Sequence, residues 1–432
     1  MSMKMIATVL TVFGAATVVA DVAVTGVKVQ PRSPWNGLVD VEYTLVCDDP
    51  EAEVYVNPVG YDGDRGITLF PSAFTGDAME GPVKAGKHTL VWDARKDFGY
   101  SFSCANFQLK FYAGKHLAPY VIIDLSGGYQ AEHWPVRYSV KGPDLSSDVC
   151  RTTELWMRLI PPGSFMMGSP EGEIGRDRDE PLHRVTLTKP FYMGVFEVTQ
   201  GQWSSVTGDA GSYCGYFYSA TNSACRPFEC NSRGYRNIRG SYDKFAPDGH
   251  DVEGDSFMAR LRMKTGLNGF DLPSEAQWEY ACRAGTVTAL NNGKNLNSPD
   301  GGENLAEVAR YCGNGYNNMA YDSKSMAVGT ATVGCYKPNA LGLYDMHGNV
   351  TEFCRDVGST KLTMRDVIDP PISMEYSGDA WSNTVWRAGR GGNWLQEAWK
   401  CRSAERNWHY NANFTGSTFN YMGFRLYSDA SF

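Results

Sequence analysis

Short stretches in which apolar and polar positions partly alternate dominate the first third of the chain. Alternation with a period of two is typical of strands that bury one face, and turn-forming residues separate the stretches. They are Val22–Val29, Val39–Val46, Glu53–Val56, His88–Trp92 and Phe107–Tyr112. The pattern predicts an immunoglobulin-like β-sandwich over residues 21–140, followed by a polar, turn-forming linker over residues 141–152.

The pattern changes over residues 153–429, where short helices are set between long loops. Capping boxes open helices at Thr199 and at Ser274, and apolar residues at helical spacing predict another helix over Asp255–Thr265. The loops between them are rich in Gly, Asn and Asp. We therefore expect a second domain with little regular secondary structure, which places the whole chain in the α+β class.

The N-terminus has the features of a secretory signal peptide. Lys4 precedes an uncharged run, Met5–Val19, which ends in small residues before Asp21. The run is shorter than the roughly 20 apolar residues that cross a bilayer, and no later stretch is long and apolar enough to do so. Residues 1–20 are therefore predicted to be a signal peptide, and the mature protein to be secreted, periplasmic or at the cell surface, without a transmembrane segment.

Composition narrows the range of partners. The chain has 40 Lys and Arg against 48 Asp and Glu, a formal charge of −8, which argues against a nucleic-acid partner because phosphate binding needs a clustered basic excess.

Eleven cysteines in an exported chain predict disulfides, with at least one thiol left over. Cys47 and Cys104 could bridge the two sheets of the sandwich; the alternative is two buried thiols.

The stretch Asn339–Phe353 combines aliphatic residues, tight turns and acidic side chains. Asp345 and Glu352 bracket a turn, and the carbonyls of Gly348 and Val350 lie between them. Because Ca²⁺ takes about six to eight oxygen ligands, these four residues would make a partial shell. On spacing alone, a solvated turn with two surface acids is the commoner explanation.

Seven motifs occur in the order found in the sulfatase-modifying-factor, or formylglycine-generating-enzyme, family, and the chain resembles that family over about residues 155–427. The motifs are Leu159–Gly168, Phe196–Gln200, Leu272–Gly285, Asn339–Phe353, Arg390–Trp394, Cys401–Arg406 and Gly423–Arg425. The resemblance implies a variant of the C-type lectin fold that is often stabilised by structural calcium. By the family's pattern, Asp345, Gly348, Val350 and Glu352 fall on one calcium site, which reverses the preference for a solvated turn.

The resemblance also implies a copper site, and here the chain departs from the family. The family's oxidases bind copper(I) with two cysteines that follow a Gly-Gly-Ser sequence, for which this chain has Gly391–Asn393. The first cysteine position is Gln396. Cys401 falls on the second in one alignment, whereas aligning on Ser403–Arg406 removes that match. Since soft thiolates suit copper(I), these departures weigh against copper and against the aldehyde-forming reaction.

Two functions therefore remain open. The first is a divergent family enzyme in which Cys401 is catalytic and Asn393, Gln396 and Trp399 contact the substrate. The second is a non-catalytic, calcium-stabilised, lectin-like domain that binds a protein, peptide or glycan through aromatic-rich loops. The aromatic residues that concentrate near the C-terminus are Trp381, Trp386, Trp394, Trp399, Trp408, Tyr410 and Phe414.

Overall fold

The computed structural model describes residues 21–99, 102–209, 223–229, 234–240, 252, 254–315, 329–357, 365–372, 387–409 and 421–430. The predicted signal peptide, residues 1–20, lies outside these ranges. So do Trp381, Trp386, Tyr410, Phe414 and the side chain of Trp408 from the aromatic set named above.

The N-terminal part is a β-sandwich, and all five predicted strands are present. Its elements are β1 Val22–Pro31, β2 Leu38–Cys47, β3 Tyr55–Asp62, β4 Ile67–Leu69, β5 Phe74–Thr75, α1 Asp77–Glu80, β6 Gly86–Asp93, α2 Ala94–Phe98 and β7 Phe107–Gly114. One sheet has the order β1-β2-β6-β5 and the other β4-β3-β7. The inward positions of the strands form one apolar cluster, in which the buried Trp92 stacks between Phe74 and Phe107 at centroid distances of 5.7 and 5.3 Å.

Of the two alternatives for Cys47 and Cys104, the disulfide bridge is not formed. Cys47 ends β2, opposite Val22, whereas the Cys104 thiol lies beside the other sheet and donates to Asp62 Oδ1 at 3.2 Å. The nine cysteines in the described part of the chain are all free thiols. Cys104 is therefore a buried, hydrogen-bonded thiol, whereas Cys47 is a half-buried free thiol, so the alternative of two buried thiols holds for Cys104 only.

The second part contains several small sheets. Its strands are β8 Tyr120–Asp124, β9 Val136–Ser139, β10 Glu154–Ile160, β11 Gly163–Met167, β12 His183–Leu187, β13 Phe191–Gly194, β14 Phe270–Asp271, β15 Ala309–Arg310, β16 His347–Gly348, β17 Thr351–Val357, β18 Val367–Ile368, β19 Arg387–Arg390, β20 Asn407–His409, β21 Met422–Gly423 and β22 Tyr427–Asp429. They form sheets of order β14-β22-β13-β10-β8-β9, β11-β12-β18, β15-β16 and β20-β19-β17-β21. The largest sheet includes β8 and β9, so it begins before residue 140, earlier in the chain than the predicted second domain.

The helices of the second part are short. They are α3 Val149–Thr152, α4 Gln200–Thr207, α5 Gly234–Arg239, α6 Phe257–Thr265, α7 Glu275–Arg283, α8 Glu303–Ala306 and α9 Cys312–Gly315, with 3₁₀ turns at Ser223–Cys225 and Ala398–Cys401. Both predicted capping boxes are formed: Thr199 and Ser274 each accept from the backbone of the third helical residue, whose side chain bonds back. None of the described helices combines the length and the hydropathy needed to cross a membrane.

The sandwich and the second part share a core. Phe70, which follows β4, packs edge-on against Tyr280 of α7 with ring centroids 5.7 Å apart, in a buried cluster that also holds Phe165 of β11. The Thr68 hydroxyl accepts from the backbone N–H of Ser164 at 3.0 Å. This apolar and hydrogen-bonded contact fixes β4 against β11, so the sandwich is packed onto the second part rather than held by the chain alone.

Candidate functional site

The loop at residues 339–353 is held in place by one buried amide. The Asn339 side chain donates to the carbonyls of Ala281 and Cys282 at 2.8 and 3.1 Å, at the end of α7. Its oxygen accepts from the backbone N–H groups of Leu341 and Leu343 at 3.0 and 3.1 Å. Since both leucines are buried, the loop is anchored by apolar contacts and by a fully used side chain.

Asp345 and Gly348 adopt backbone conformations that few residues tolerate. The φ angle of Asp345 is 56° and that of Gly348 is 74°. A Cβ at Gly348 would lie 2.0 Å from the carbonyl oxygen of Arg310, so only glycine fits where β16 meets β15.

Asp345 Oδ2 accepts from Gly334 N at 2.6 Å, while Oδ1 is buried without a hydrogen-bond partner. An orphaned carboxylate oxygen of this kind could accept a hydrogen bond from water or bind a cation.

Glu352, at the start of β17, faces an arginine. Arg425 Nη2 lies 2.7 Å from Glu352 Oε1, and Arg425 Nε lies 3.0 Å from Oε2. Oε2 also accepts from Trp278 Nε1 at 2.6 Å. All three side chains are buried. Both carboxylate oxygens of Glu352 are thus engaged by protein donors.

Glu197 is a third buried carboxylate, and the sequence analysis did not assign it a role. Its Oε1 accepts from Val350 N at 3.0 Å and its Oε2 from Asn349 Nδ2 at 2.5 Å, so it holds the Gly348–Val350 turn from behind. Burial, together with the charges of Asp345 and Glu352, raises the pKa of Glu197 well above its usual range. The position of Glu197 inside the Phe196–Gln200 motif is the sequence feature that could have indicated a role for it.

The buried charges around the Gly348–Val350 turn do not balance. Burial raises the pKa of Asp345 to about 6. Arg425 is in an ion pair with Glu352, and within the described residues no ion pair reaches Glu197 or Asp345. Two negative charges are therefore left uncompensated in the interior when all three acids are ionised. The orphaned Asp345 oxygen and this charge both fit a divalent cation, whereas Glu352 does not offer a free oxygen.

The most compact ligand group lies elsewhere. Among the described residues, Asp62, Asp64 and Cys104 form the one set of three acidic or thiol ligand atoms that lie within 4.8 Å of one another. Its atoms already have protein partners: Asp62 Oδ1 accepts from Asp64 N and Arg65 N at 3.0 and 3.1 Å, and Asp64 Oδ2 accepts from Ala105 N at 2.7 Å. This group therefore serves to close the turn between β3 and β4.

The strip that follows β19 carries the residues predicted to contact substrate. Asn393 is buried, and both ends of its amide are used: Nδ2 donates to Thr351 Oγ1 at 2.9 Å and Oδ1 accepts from Leu395 N at 3.1 Å. Asn393 therefore shapes the turn. Gln396 is half-buried, and its Nε2 donates to Asn407 Oδ1 at 3.2 Å, while Gln396 Oε1 and Asn407 Nδ2 are shielded and without partners.

Cys401 is a core thiol. It is fully buried in an apolar cluster with Leu290, Leu305 and Tyr311, and its Sγ is 4.0 Å from the carbonyl of Asn393. Burial raises the pKa of the Cys401 thiol far above its usual value. A thiol held neutral in this way is neither a strong nucleophile nor a ready metal ligand.

His347 links the Cys401 turn to the loop at residues 339–353. Its Nε2 accepts from Asn291 N at 3.0 Å, so the proton lies on Nδ1, which donates to the Cys401 carbonyl at 2.7 Å. Burial lowers the pKa of His347 to about 4. The imidazole is therefore neutral and structural near pH 7.

Cys312 is a second thiol near the strip, and sequence spacing did not indicate it. It comes from α9, packs against the cluster that holds Cys401, and its backbone N–H donates to the Gln396 carbonyl at 3.0 Å. Burial, and then the charges of Glu397 and Asp300, raise the pKa of the Cys312 thiol. It is half-buried, so it is a second candidate thiol for any reaction near Gln396.

Trp399 is half-buried, and one face of its ring is covered. Its Nε1 donates to Glu397 Oε2 at 2.6 Å, and Lys400 Nζ lies over the ring 4.0 Å from its centroid. Trp394 is fully buried. Of the two described tryptophans on this strip, one is in the core and the other is covered by an ammonium group on one face.

Buried arginine–carboxylate pairs brace the loops around the strip. Arg390 and Arg406 share Glu275, with Nε–Oε1 distances of 3.0 Å each, and Arg390 also bonds Glu279 at 3.0 Å. Arg402 bonds Glu173, Glu180 and Glu405 at 2.6–3.0 Å. These side chains are almost fully buried, so the loops are fixed by charge pairs where helices and sheets are lacking.

A mixed domain of small sheets whose glycine-containing loops are held by buried arginine–carboxylate pairs is the class of structure that the sequence motifs implied. Residues 143–430 match the family model described as the sulfatase-modifying factor enzyme 1-like domain, and the chain belongs to this family. The chain is 32% identical over 231 residues to the chaperone protein LppX of Paenibacillus barcinonensis, covering 49% of this chain and 71% of LppX.

The chain is also similar to an enzyme and to a protein of solved structure. The formylglycine-generating enzyme of Mus musculus is 26% identical over 257 residues, covering 54% of this chain and 67% of the mouse protein. Among solved structures, PvdO from Pseudomonas aeruginosa superposes with a TM-score of 0.43 at 26% identity, covering 63% of this chain and 94% of PvdO.

Proposed function

We propose that this chain is an exported, calcium-stabilised member of the family that binds a ligand at the strip of residues 393–401 and does not oxidise thiols. Export is inferred from the signal-peptide pattern of residues 1–20. The proposal rests on two residues of this strip. An amide, Gln396, stands at the first copper position, and the nearby thiol of Cys401 is buried and neutral.

The chemistry of copper(I) supports this reading. Copper(I) prefers thiolate ligands, and a thiolate forms readily only where the thiol pKa is lowered. At Cys401 and Cys312 burial moves the pKa in the opposite direction. The residues of the strip therefore do not fit copper, and a member of the family without that metal retains the fold as a binding scaffold. The name of LppX, a chaperone, is consistent with a binding role in a relative.

We expect the purified chain, reduced and loaded with copper(I), to leave a peptide that carries the Cys-x-Pro-x-Arg motif unchanged. The measurement is the mass of the peptide after incubation, which reports conversion of thiol to aldehyde, together with copper(I) binding by competition with a chromogenic chelator. The physical reason is that neither thiol near Gln396 is stabilised as a thiolate.

Cys401→Ser and Cys312→Ser serve as matched variants in that assay. If the chain forms aldehyde and Cys401→Ser abolishes it, Cys401 is catalytic and the proposal is wrong. If Cys312→Ser alone abolishes it, the copper site is rebuilt from a residue outside the strip, which would equally overturn a non-oxidising role.

For calcium, the residues that would hold the ion are Asp345, through Oδ1, and the backbone carbonyls of Gly348 and Val350. Glu352 would remain on Arg425, and Glu197 would support the turn. Bound Ca²⁺ supplies positive charge that offsets the buried carboxylates. Because the ion binds the folded state and not the unfolded one, it stabilises the fold by mass action.

Chelation is therefore expected to lower the thermal midpoint of unfolding. At a calcium concentration one hundred times Kd, the added free energy of unfolding is about 2.7 kcal/mol. Asp345→Asn should remove most of this calcium-dependent shift. Asp64→Asn, in the compact group of the sandwich, should leave it intact, and loss of the shift in Asp64→Asn instead would place the ion at that other group.

A further inference from the structure

We propose that protonation of Glu405 releases Lys400 and uncovers one face of the Trp399 ring. This rests on the proposed function, because it describes how the ligand-binding strip would be regulated. It starts from a buried group of charges beside the strip in which carboxylates outnumber cations.

One arginine holds three carboxylates in this group. Arg402 Nη1 lies 2.8 Å from both Glu173 Oε1 and Glu180 Oε2. Arg402 Nη2 lies 2.6 Å from Glu180 Oε1 and 3.0 Å from Glu405 Oε2. Each of the four side chains is at most 3% exposed. Three negative charges therefore converge on one positive charge in the interior, where unpaired charge is costly.

Lys400 is the second cation of the group. Its Nζ forms an ion pair with Glu405 Oε1, and its side chain is 26% exposed. The ammonium group therefore lies between the buried carboxylate and water. Two cations for three carboxylates leave one negative charge in excess when all of them are ionised.

The described charged residues that surround this group do not offset the excess. They are the arginines Arg176, Arg283, Arg390 and Arg406 and the carboxylates Asp177, Asp179, Glu275 and Glu279. Positive and negative charges are equal in number in this surrounding set, so it carries no net charge. The nearby Cys401 thiol stays neutral, because burial raises its pKa.

The excess charge is relieved with the least rearrangement at Glu405. Arg402 is fully buried and holds both oxygens of Glu180. Lys400, in contrast, can leave Glu405 for solvent. Burial, against the opposing charges of Lys400 and Arg402, raises the pKa of Glu405 from 4.5 to about 7. Glu405 therefore changes its charge near neutral pH.

The Trp399 ring is positioned without the help of Lys400. Its Nε1 donates to Glu397 Oε2 at 2.6 Å, and its backbone carbonyl accepts from Arg402 Nε at 2.9 Å. Lys400 Nζ lies over the ring, 4.0 Å from its centroid. When Glu405 is neutral, this cation–π contact alone holds the ammonium group, and such a contact is weak where water reaches the cation. Lys400 then moves into solvent, and the covered face of the ring becomes accessible.

The test measures the exposure of the Trp399 ring against pH, on the full mature chain labelled with ¹⁵N at its tryptophans and kept in saturating calcium. The indole resonance of Trp399 is identified by its loss in Trp399→Phe, and photochemically induced nuclear polarisation with a flavin dye reports access to the ring. The resonance should titrate with a midpoint near pH 7. The polarisation should be stronger about 1.5 pH units below this midpoint than about 1.5 units above it, where Glu405 is almost fully ionised.

Glu405→Gln should remove the titration and leave the ring accessible at both pH values. Lys400→Ala should give the same high accessibility, and it serves if thermal unfolding shows that Glu405→Gln is not folded. Glu307→Gln is the matched control, because Glu307 also pairs with lysines, but in partly exposed pairs with Lys294 and Lys337. It should keep the midpoint of the parent chain.

Glu173→Gln removes one of the three negative charges and keeps the pair of Lys400 with Glu405, so it should lower the midpoint. Loss of the titration in Glu173→Gln alone would place the proton on Glu173 and overturn the proposal. A titration that survives in Glu405→Gln, or a ring that is equally accessible at every pH in the parent chain, would overturn it as well.

The aldehyde assay is independent of these results. Aldehyde formation would end the proposed non-oxidising function whatever the titration shows. A ring whose accessibility does not depend on pH, in a chain that forms no aldehyde, would end only the role of Glu405 and Lys400.

Discussion

Arg425→Met is expected to lower the free energy of unfolding by about 3–5 kcal/mol, the usual cost of breaking a buried ion pair by removing one partner. Arg425 is fully buried and donates to Glu352 and to the carbonyls of Gly194, Val195 and Tyr344. Without it, the buried acids Glu197, Asp345 and Glu352 would have no ion pair within the described part of the chain, and four carbonyl or carboxylate groups would lose their donor. Chemical denaturation in saturating calcium measures the loss.

The matched control is Arg32→Met in the sandwich. Arg32 pairs with Asp40 at 2.7 Å, but the two side chains are 40% and 48% exposed, so solvent screens the interaction. Exposed pairs contribute about 0–1 kcal/mol. Equal losses in the two variants would contradict this prediction, because the buried pair of Arg425 would then contribute no more to the free energy of unfolding than the exposed pair of Arg32.

Glu275→Gln is expected to lower the free energy of unfolding near pH 7 by a similar amount and to change its dependence on pH. Burial alone would raise the pKa of Glu275, but Arg406 and Arg390 outweigh it and lower the pKa to about 2. The usual glutamate value is about 4.5. A carboxylate whose pKa is lowered on folding stabilises the fold fully above pH 4.5, and this contribution is lost as the pH falls from 4.5 to 2.

The size of that pH effect follows from the shift. Each pKa unit corresponds to about 1.4 kcal/mol, so Glu275 accounts for on the order of 3 kcal/mol of acid-dependent stability. Denaturation series between pH 2 and pH 7 should show a shallower slope below pH 4.5 in Glu275→Gln than in the parent chain. Glu42→Gln, in an exposed pair with Lys28, is the control and should keep the parent slope. An unchanged slope in Glu275→Gln would assign the acid sensitivity to other carboxylates.

The proposed calcium site and the proposed ligand-binding strip are held by the same turn. The Gly348–Val350 turn is held by Glu197, and the neighbouring His347 holds the Cys401 carbonyl at 2.7 Å. The Asn349 carbonyl accepts from Trp394 N at 3.0 Å, on the strip itself. A cation that stabilises this turn would therefore also position the strip on which Gln396 lies.

Features that depend on neighbouring residues could be predicted from the sequence. The capping boxes at Thr199 and Ser274 need only residues three positions apart, and the strands of the sandwich need only alternation along one segment. The motif order identified the family for the same reason, since each motif is a local sequence. The polar amide at Gln396 was also visible, because its position follows directly from the Gly391–Asn393 turn.

Features that depend on contacts between distant segments could not be predicted. Cys47 and Cys104 are both in the sandwich, but the side of the core on which each thiol lies depends on strand pairing. By the family's pattern Glu352 falls on a calcium site, and the structure shows that Arg425, 73 positions away in the chain, engages both of its oxygens. The motif predicts that Asn393 contacts the substrate, but its side-chain amide is hydrogen-bonded to Thr351 and to Leu395.

The family and the α+β class follow from residue identity and short spacing, and by the family's pattern an amide, Gln396, stands where its oxidases have a cysteine. Which polar atoms have partners depends on the tertiary fold. It paired Glu352 with Arg425, left Asp345 Oδ1 unsatisfied, buried the Cys401 thiol and left one donor and one acceptor open between Gln396 and Asn407. Hydrogen bonds and charge pairs in the interior join residues far apart in the chain, so their satisfaction is fixed by packing and not by local sequence.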